Sequence, residues 1–131
     1  VTAIKEFYDE NSSIDLTEFD YILDCIDSVP SKLQLVEIAV KNNIKIISAM
    51  GTGNKLEPDK LRITDISKTS YCPLAKKMRV ELRKRGINHL KVIYSTEEPK
   101  CRNVPPASVS FVPSVAGLRM AGEVIKELIN D

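Results

Sequence analysis

Apolar positions recur along this chain in two rhythms. Short apolar runs, the mark of strands buried in a sheet, fall at Tyr21–Ile26, Lys45–Met50 and Leu90–Ser95. Leu61–Ile66 instead alternates apolar and polar residues and reads as a half-exposed strand. Between the runs the period lengthens to that of an amphipathic helix. Ser31–Asn43 offers Leu33, Val36, Ile38, Ala39 and Val40 as one face. Pro73–Arg85 offers Leu74, Ala75, Met78 and Leu82. Val115–Ile129 offers Leu118, Ala121, Val124, Ile125 and Leu128, with Ser114 as a plausible N-cap. Pro30 sits near the first turn of the first helix and Gly86 just past the second, where helices start and stop.

Tyr21–Met50 is therefore a β-α-β unit, whose strands should lie parallel. The whole is an α/β fold: a partial Rossmann-like sheet with parallel and mixed strands, flanked by helices. Residues 1–19 are ambiguous between a short strand and one helical face, with a helical turn at Leu16–Phe19. Thr96–Ala107 reads as a loop and Ser108–Phe111 as a final short strand.

Composition agrees with one folded domain: 131 residues, 43% apolar, without Trp. No apolar run is long enough to span a membrane and no signal peptide is visible, so a cytoplasmic protein is expected. Three cysteines with no CxxC spacing predict reduced thiols and no zinc site. Net charge is only +1, but it is unevenly spread. Residues 1–31 carry −7 and the remainder +8. Such asymmetry marks either a surface facing a polyanion or two solvated faces.

Four features could carry chemistry. Asp24 and Asp27 lie at or beyond the end of the first strand, where ligands of open α/β sheets collect. Carboxylates there can hold Mg²⁺ and a nucleotide's phosphates; alternatively, Asp27 or Ser28 only caps the next helix. Gly51-Thr52-Gly53 lacks the third glycine and the following helix of a phosphate loop, so a turn with positive φ is expected there. Cys72 precedes a helix whose N-terminal dipole favours a thiolate, with Lys76 and Lys77 one turn on; a small residue packed at a turn reads equally well. Cys25 reads as buried, and Cys101 as a loop thiol. The helix itself bears Lys76, Lys77, Arg79, Arg83, Lys84 and Arg85 against Glu81 alone, which suits either an RNA backbone or plain solvent.

Taken in order, DYILDCIDSVPSK, KIISAMGTGNKLEPDKLRITDISKT, CPLAKKMRVELRKRGI, VIYSTEEP and FVPSVAGLRMAGEVIKELI resemble the ThiF/MoeB-like (ubiquitin-activating-enzyme-like) adenylating family. Within it they are most similar to the branch that dehydrates threonylcarbamoyladenosine in tRNA. The resemblance implies an ATP-dependent enzyme that adenylates that carboxylate and lets intramolecular attack close a ring. It implies that Asp27 contacts Mg·ATP with Asp24 beside it, that tRNA is the partner and that the protein is a homodimer, with Gly117 and Gly122 allowing close packing against the sheet or a second copy. The family's GxGGVGS loop, and the arginine, asparagine and lysine positions after it, have no counterpart here. With Val1 in place of Met at the start, this predicts the C-terminal part of an adenylating domain, inactive alone. The alternatives are part of an enzyme adenylating a sulfur carrier or ubiquitin-like protein, with Cys72 as acceptor, and a non-catalytic tRNA-binding module.

Overall fold

The computed structural model describes residues 1–99 and 105–130. Its centre is a four-stranded sheet of β1 (Tyr21–Asp24), β2 (Lys45–Ala49), β3 (Leu61–Asp65) and β4 (Lys91–Ser95), in the order β1-β2-β4-β3. β1, β2 and β4 run parallel, and β3 closes the far edge antiparallel to β4. The mixed sheet is the expected fold. Three α-helices complete it: α1 (Val29–Lys41), α2 (Pro73–Lys84) and α3 (Phe111–Asn130).

Successive strand side chains point to opposite faces, and the core divides accordingly. Val92 and Tyr94 of β4 join Leu33 and Val36 of α1 and Ala75, Met78 and Leu82 of α2 in one cluster. Ile93 points the other way, joining Ile47, Leu61 and Ala116, Met120 and Val124 of α3. A third cluster, Ile22 with Leu35 and Ala39, is covered by Tyr8 and Leu16 from the N-terminal segment. That segment is neither strand nor helix before the 3-10 turn Leu16–Glu18.

Several expectations are corrected. β1 is a sheet edge, so Leu23 stays exposed, and Cys25 beyond it is exposed rather than buried. α1 buries Lys32 and Leu35 and leaves Val40 exposed. α3 buries Val112, Ala116, Met120 and Val124, at a spacing of four, and exposes Leu118, Ile125 and Leu128. This helix is apolar on two faces, so periodicity alone could not choose between them. Residues 108–110 form no strand; α3 begins at Phe111, and Ser114 lies inside it, its hydroxyl donating back to the Ser110 carbonyl. A Cβ at Gly117 or Gly122 would meet nothing within 4 Å, so neither glycine serves packing against the sheet. Cys101, Lys100 and Arg102 lie outside the described residues.

Candidate active site

The carboxyl ends of β1 and β2 open into a cavity of about 1190 Å³. Cys25, Ile26 and Asp27 form one wall, the segment after β2 from Met50 to Lys55 the floor, and Thr69–Leu74 with Lys76 and Arg79 the opposite wall. Pro113, Ala116, Gly117 and Met120 of α3 close a third side. A ligand pocket outside the strand ends is what an open α/β sheet provides.

The two aspartates expected at this end take different positions. Asp27 is exposed and lines the cavity. Among the described residues no donor is found for its carboxylate, and the cap of α1 involves no side-chain hydrogen bond from Ser28. Asp24, three residues earlier, is fully buried. The parallel register sets Asp24 opposite Ser48, whose hydroxyl donates to Asp24 Oδ2. Lys32, reaching down from the first turns of α1, donates from Nζ to the same oxygen at 2.9 Å and to Ser48 Oγ at 3.2 Å. Asp24 Oδ1 accepts the Ile26 N–H at 3.1 Å. The ammonium and both carboxylate oxygens are thus engaged inside the protein.

The turn after β2 differs from expectation in one respect. Positive φ falls on Asn54 (φ 59), not on Gly51 or Gly53. Gly53 serves close approach, since a Cβ there would stand 2.9 Å from Pro106 Cβ, whereas a Cβ at Gly51 would make only ordinary contacts. This segment also holds Lys55, which sequence reasoning passed over because a single lysine in a polar loop gives no signal. Lys55 is buried, and Nζ donates to the carbonyls of Tyr71 (3.3 Å) and Glu97. Burial lowers its pKa. The Glu97 carboxylate, also buried, accepts the backbone N–H groups of Leu56 and Glu57, both at 2.9 Å. The segment after β2 is thereby tied to the end of β4 and to the approach to α2, where Tyr71 is held at φ 50.

Cys72 lies within that approach. It is the N-cap of α2, its Sγ accepting from the Ala75 N–H at 3.4 Å, and it packs among the core residues of α1 and α2. Cys25, on the opposite wall, has its thiol pKa pushed up by partial burial and then by the Asp24 charge, against the opposing pull of Lys32.

The five basic residues of α2 and Arg85 at its C-cap also separate. Arg79 turns inward, donating to Thr69 Oγ1 at 2.5 Å. Lys84 pairs with Glu81 at 2.8 Å, and Arg85 with Glu37 at 3.1 Å and Glu81 at 3.2 Å. Hydrogen bonds from Lys84 and Arg85 lower the Glu81 pKa. Lys76, Lys77 and Arg83 are exposed and meet no acidic partner among the described residues.

Over residues 1–131 the chain matches the sequence model of the ThiF family. The chain belongs to the ThiF family. It is 39% identical to a tRNA threonylcarbamoyladenosine dehydratase of Bacillus subtilis, over all of this chain and 60% of the relative. A stretch of 81 residues is 43% identical to tRNA threonylcarbamoyladenosine dehydratase 2 of Saccharomyces cerevisiae, covering 61% of this chain and 18% of that protein. Among solved structures, the Escherichia coli tRNA N6-threonylcarbamoyladenosine dehydratase TcdA in complex with ATP superposes with a TM-score of 0.77 at 25% identity. The match covers 86% of this chain and 49% of that one, and the AMP complex of the same enzyme matches equally. The matched part is 60% of the Bacillus subtilis protein, 49% of the Escherichia coli one and 18% of the Saccharomyces cerevisiae one, so the chain spans only part of its relatives' length.

Whether a divalent cation suits the site can be judged from its donors. Among the described residues no group of three or more His, Cys, Asp or Glu is disposed to hold a metal. Among the described residues, Asp27 and Glu98 offer free carboxylates to the cavity. That is too little for a protein-held ion, but it fits Mg²⁺, which usually binds through one or two carboxylates and the phosphates of its nucleotide.

Proposed function

We propose that this chain supplies the Asp27 side of an ATP-dependent active site that adenylates and cyclises threonylcarbamoyladenosine in tRNA. One observation carries the reading: a free, exposed carboxylate at the end of β1 opens onto a nucleotide-sized cavity, in a chain 39% identical to a tRNA threonylcarbamoyladenosine dehydratase. In this reaction a substrate carboxylate oxygen bonds to the α-phosphorus of ATP and diphosphate leaves. Attack by a nitrogen of the same modified side chain then closes the ring, and AMP departs with that oxygen. Activation turns a poor electrophile into one with a good leaving group. Mg²⁺, bound with the nucleotide, would offset phosphate charge. Asp27 would orient that complex at the cavity mouth, while Met50, Met120 and Pro113 give the interior an apolar lining.

Lys76, Lys77 and Arg83, the exposed cations of α2, face the RNA backbone in this reading, and the protein works in the cytoplasm with its substrate. The exposed stripe of Phe111, Leu118, Ile125 and Ile129 on α3 packs against a second copy, with Gly122 allowing close approach. Leu118→Arg with Ile125→Arg should then shift the sedimentation of the full-length protein from dimer to monomer.

The deciding experiment is conversion of modified tRNA by the full-length protein with ATP and Mg²⁺, followed by mass spectrometry for loss of water. Asp27→Ala should lower turnover by about 100-fold, equivalent to about 2.7 kcal/mol; near-normal turnover rejects the role of Asp27. Reversing Lys76, Lys77 and Arg83 to Glu should weaken tRNA binding and reduce the dependence of log affinity on log salt by about 3. An unchanged salt slope would remove α2 from the RNA interface.

A further inference from the structure

The buried Asp24–Lys32 pair is unusual enough to need an explanation. Charges this deep pay a large desolvation cost, and well-packed apolar residues of similar volume often serve stability as well or better. The pair is fully buried, at 0% exposure for both residues. Asp24 lies three residues before the free Asp27 carboxylate, and the pair ties together the three elements that meet there. Asp24 ends β1, Ser48 lies on β2 and Lys32 on α1, and all three side chains join through Asp24 Oδ2 and Ser48 Oγ.

The other oxygen holds the backbone that follows β1. Oδ1 accepts the N–H of Ile26 at 3.1 Å, two residues on. This is the local bond by which an aspartate bends its own backbone into a turn. It acts where β1 ends and the chain must swing across to the start of α1, and Asp27 is the next residue. Because Lys32 and Ser48 hold Oδ2, the carboxylate cannot rotate away from Ile26. Burial shields this clamp from water and salt, as an exposed turn would not be shielded.

We infer that Asp24, Lys32 and Ser48 are positioning residues: a buried clamp that fixes the Ile26–Asp27 backbone and so sets the direction of the Asp27 carboxylate toward bound nucleotide. Asp24 acts through this turn and not as a ligand. The inference rests on the proposed nucleotide role of Asp27.

Two double variants separate positioning from packing. D24N/K32M removes both charges but keeps an oxygen at the Oδ1 position and a donor toward Ser48. D24L/K32M fills the same space with no acceptor for Ile26. In the full-length protein, Mg·ATP affinity is measured by calorimetry and exchange of the Ile26 amide proton by NMR. D24N/K32M should bind within about 3-fold of the parent with unchanged Ile26 exchange. D24L/K32M should bind at least about 10-fold more weakly and exchange Ile26 at least about 10-fold faster, while unfolding no earlier than D24N/K32M. S48A, which removes one hydroxyl, should lie between the two and supplies the comparison if D24L/K32M does not fold. Equal affinity in D24L/K32M, or in S48A when it stands in, overturns the inference while leaving the nucleotide site in place. If the parent itself does not bind Mg·ATP, or Asp27→Ala binds as the parent does, the functional reading fails and the inference fails with it.

Discussion

Two walls of one cavity are built on opposite principles. At the end of β1, the polar atoms that could be satisfied are buried, and Asp27 is left open. At the start of α2, Cys72 is drawn into the core and its sulfur caps the helix. Both positions looked chemically capable by residue type. What separates them is whether the reactive atom is available: Asp27 has no donor among the described residues, whereas the Cys72 sulfur is already occupied. A helix N-terminus attracts a thiolate, but the same N–H groups also donate to a sulfur that serves as an ordinary cap. The difference teaches that residue type does not reveal which group stays available: Asp24 and the Cys72 sulfur have partners, whereas Asp27 has none among the described residues.

The largest effect should come from breaking the support itself. Lys32→Ala leaves the buried Asp24 charge without its partner, at a cost of about 3–5 kcal/mol in denaturant unfolding. A loss under about 1 kcal/mol would mean that water replaces the ammonium and the clamp is not closed. Asp27→Ala should sharpen the contrast from the other side. Stability should change by less than about 0.5 kcal/mol, as for surface positions without partners, although turnover falls as stated above. Next comes Cys72. Cys72→Ser keeps a cap acceptor and should hold turnover within about 3-fold, whereas Cys72→Ala should cost about 1 kcal/mol through the lost cap. Abolished turnover in Cys72→Ser would reverse the comparison and make this wall the chemical one.

The smallest effect lies far from the cavity, at the other end of the strands. Lys91 Nζ donates to Glu123 at 3.1 Å and also to Glu127. The hydrogen bond from Lys91 lowers the Glu127 pKa. Burial works against the Lys91 charge, but the bonds to Glu127 and Glu123 raise its pKa on balance. The Glu127 contribution is therefore complete above its unfolded value near 4.5 and is lost as pH falls through its lower folded value. The Lys91 contribution is complete below 10.5 and is lost as pH rises through its higher folded value. Lys91→Met should cost about 0.5 kcal/mol at pH 7, as for a partly exposed, screened pair. The gap between the two proteins should close as pH falls below the lowered folded pKa of Glu127. A gap that persists there would point to packing by the lysine stem instead.

Much of the sheet was legible from the chain. Short apolar runs marked β1, β2 and β4, and the alternation of Leu61–Ile66 marked β3, because strand side chains simply alternate between two faces. The helix faces were less legible. In α2 the apolar stripe is single and was found; α3 carries two, and of the expected face only Val124 is buried, while Leu118, Ile125 and Leu128 are exposed. Of the cavity lining, Asp27 was legible because it follows a strand end, where ligands of such sheets gather. Lys55 and Glu97 gave no signal, since their partners are carbonyls and N–H groups of distant segments, which no local pattern encodes.

Asp24 shows where local pattern stops. That an acidic residue interrupts an apolar run at the end of β1 is written in the sequence, as are the glycine stop of α2 and the mixed sheet. That Asp24 is support and Asp27 the open group is not. It depends on the register that sets Asp24 opposite Ser48 and on α1 bringing Lys32 over both. The sequence by itself determined which segments are strands and helices, because backbone geometry imposes periods of 2 and 3.6 on any chain. Only the tertiary structure decided which polar groups are satisfied, because a hydrogen bond depends on distances between atoms that folding alone brings together.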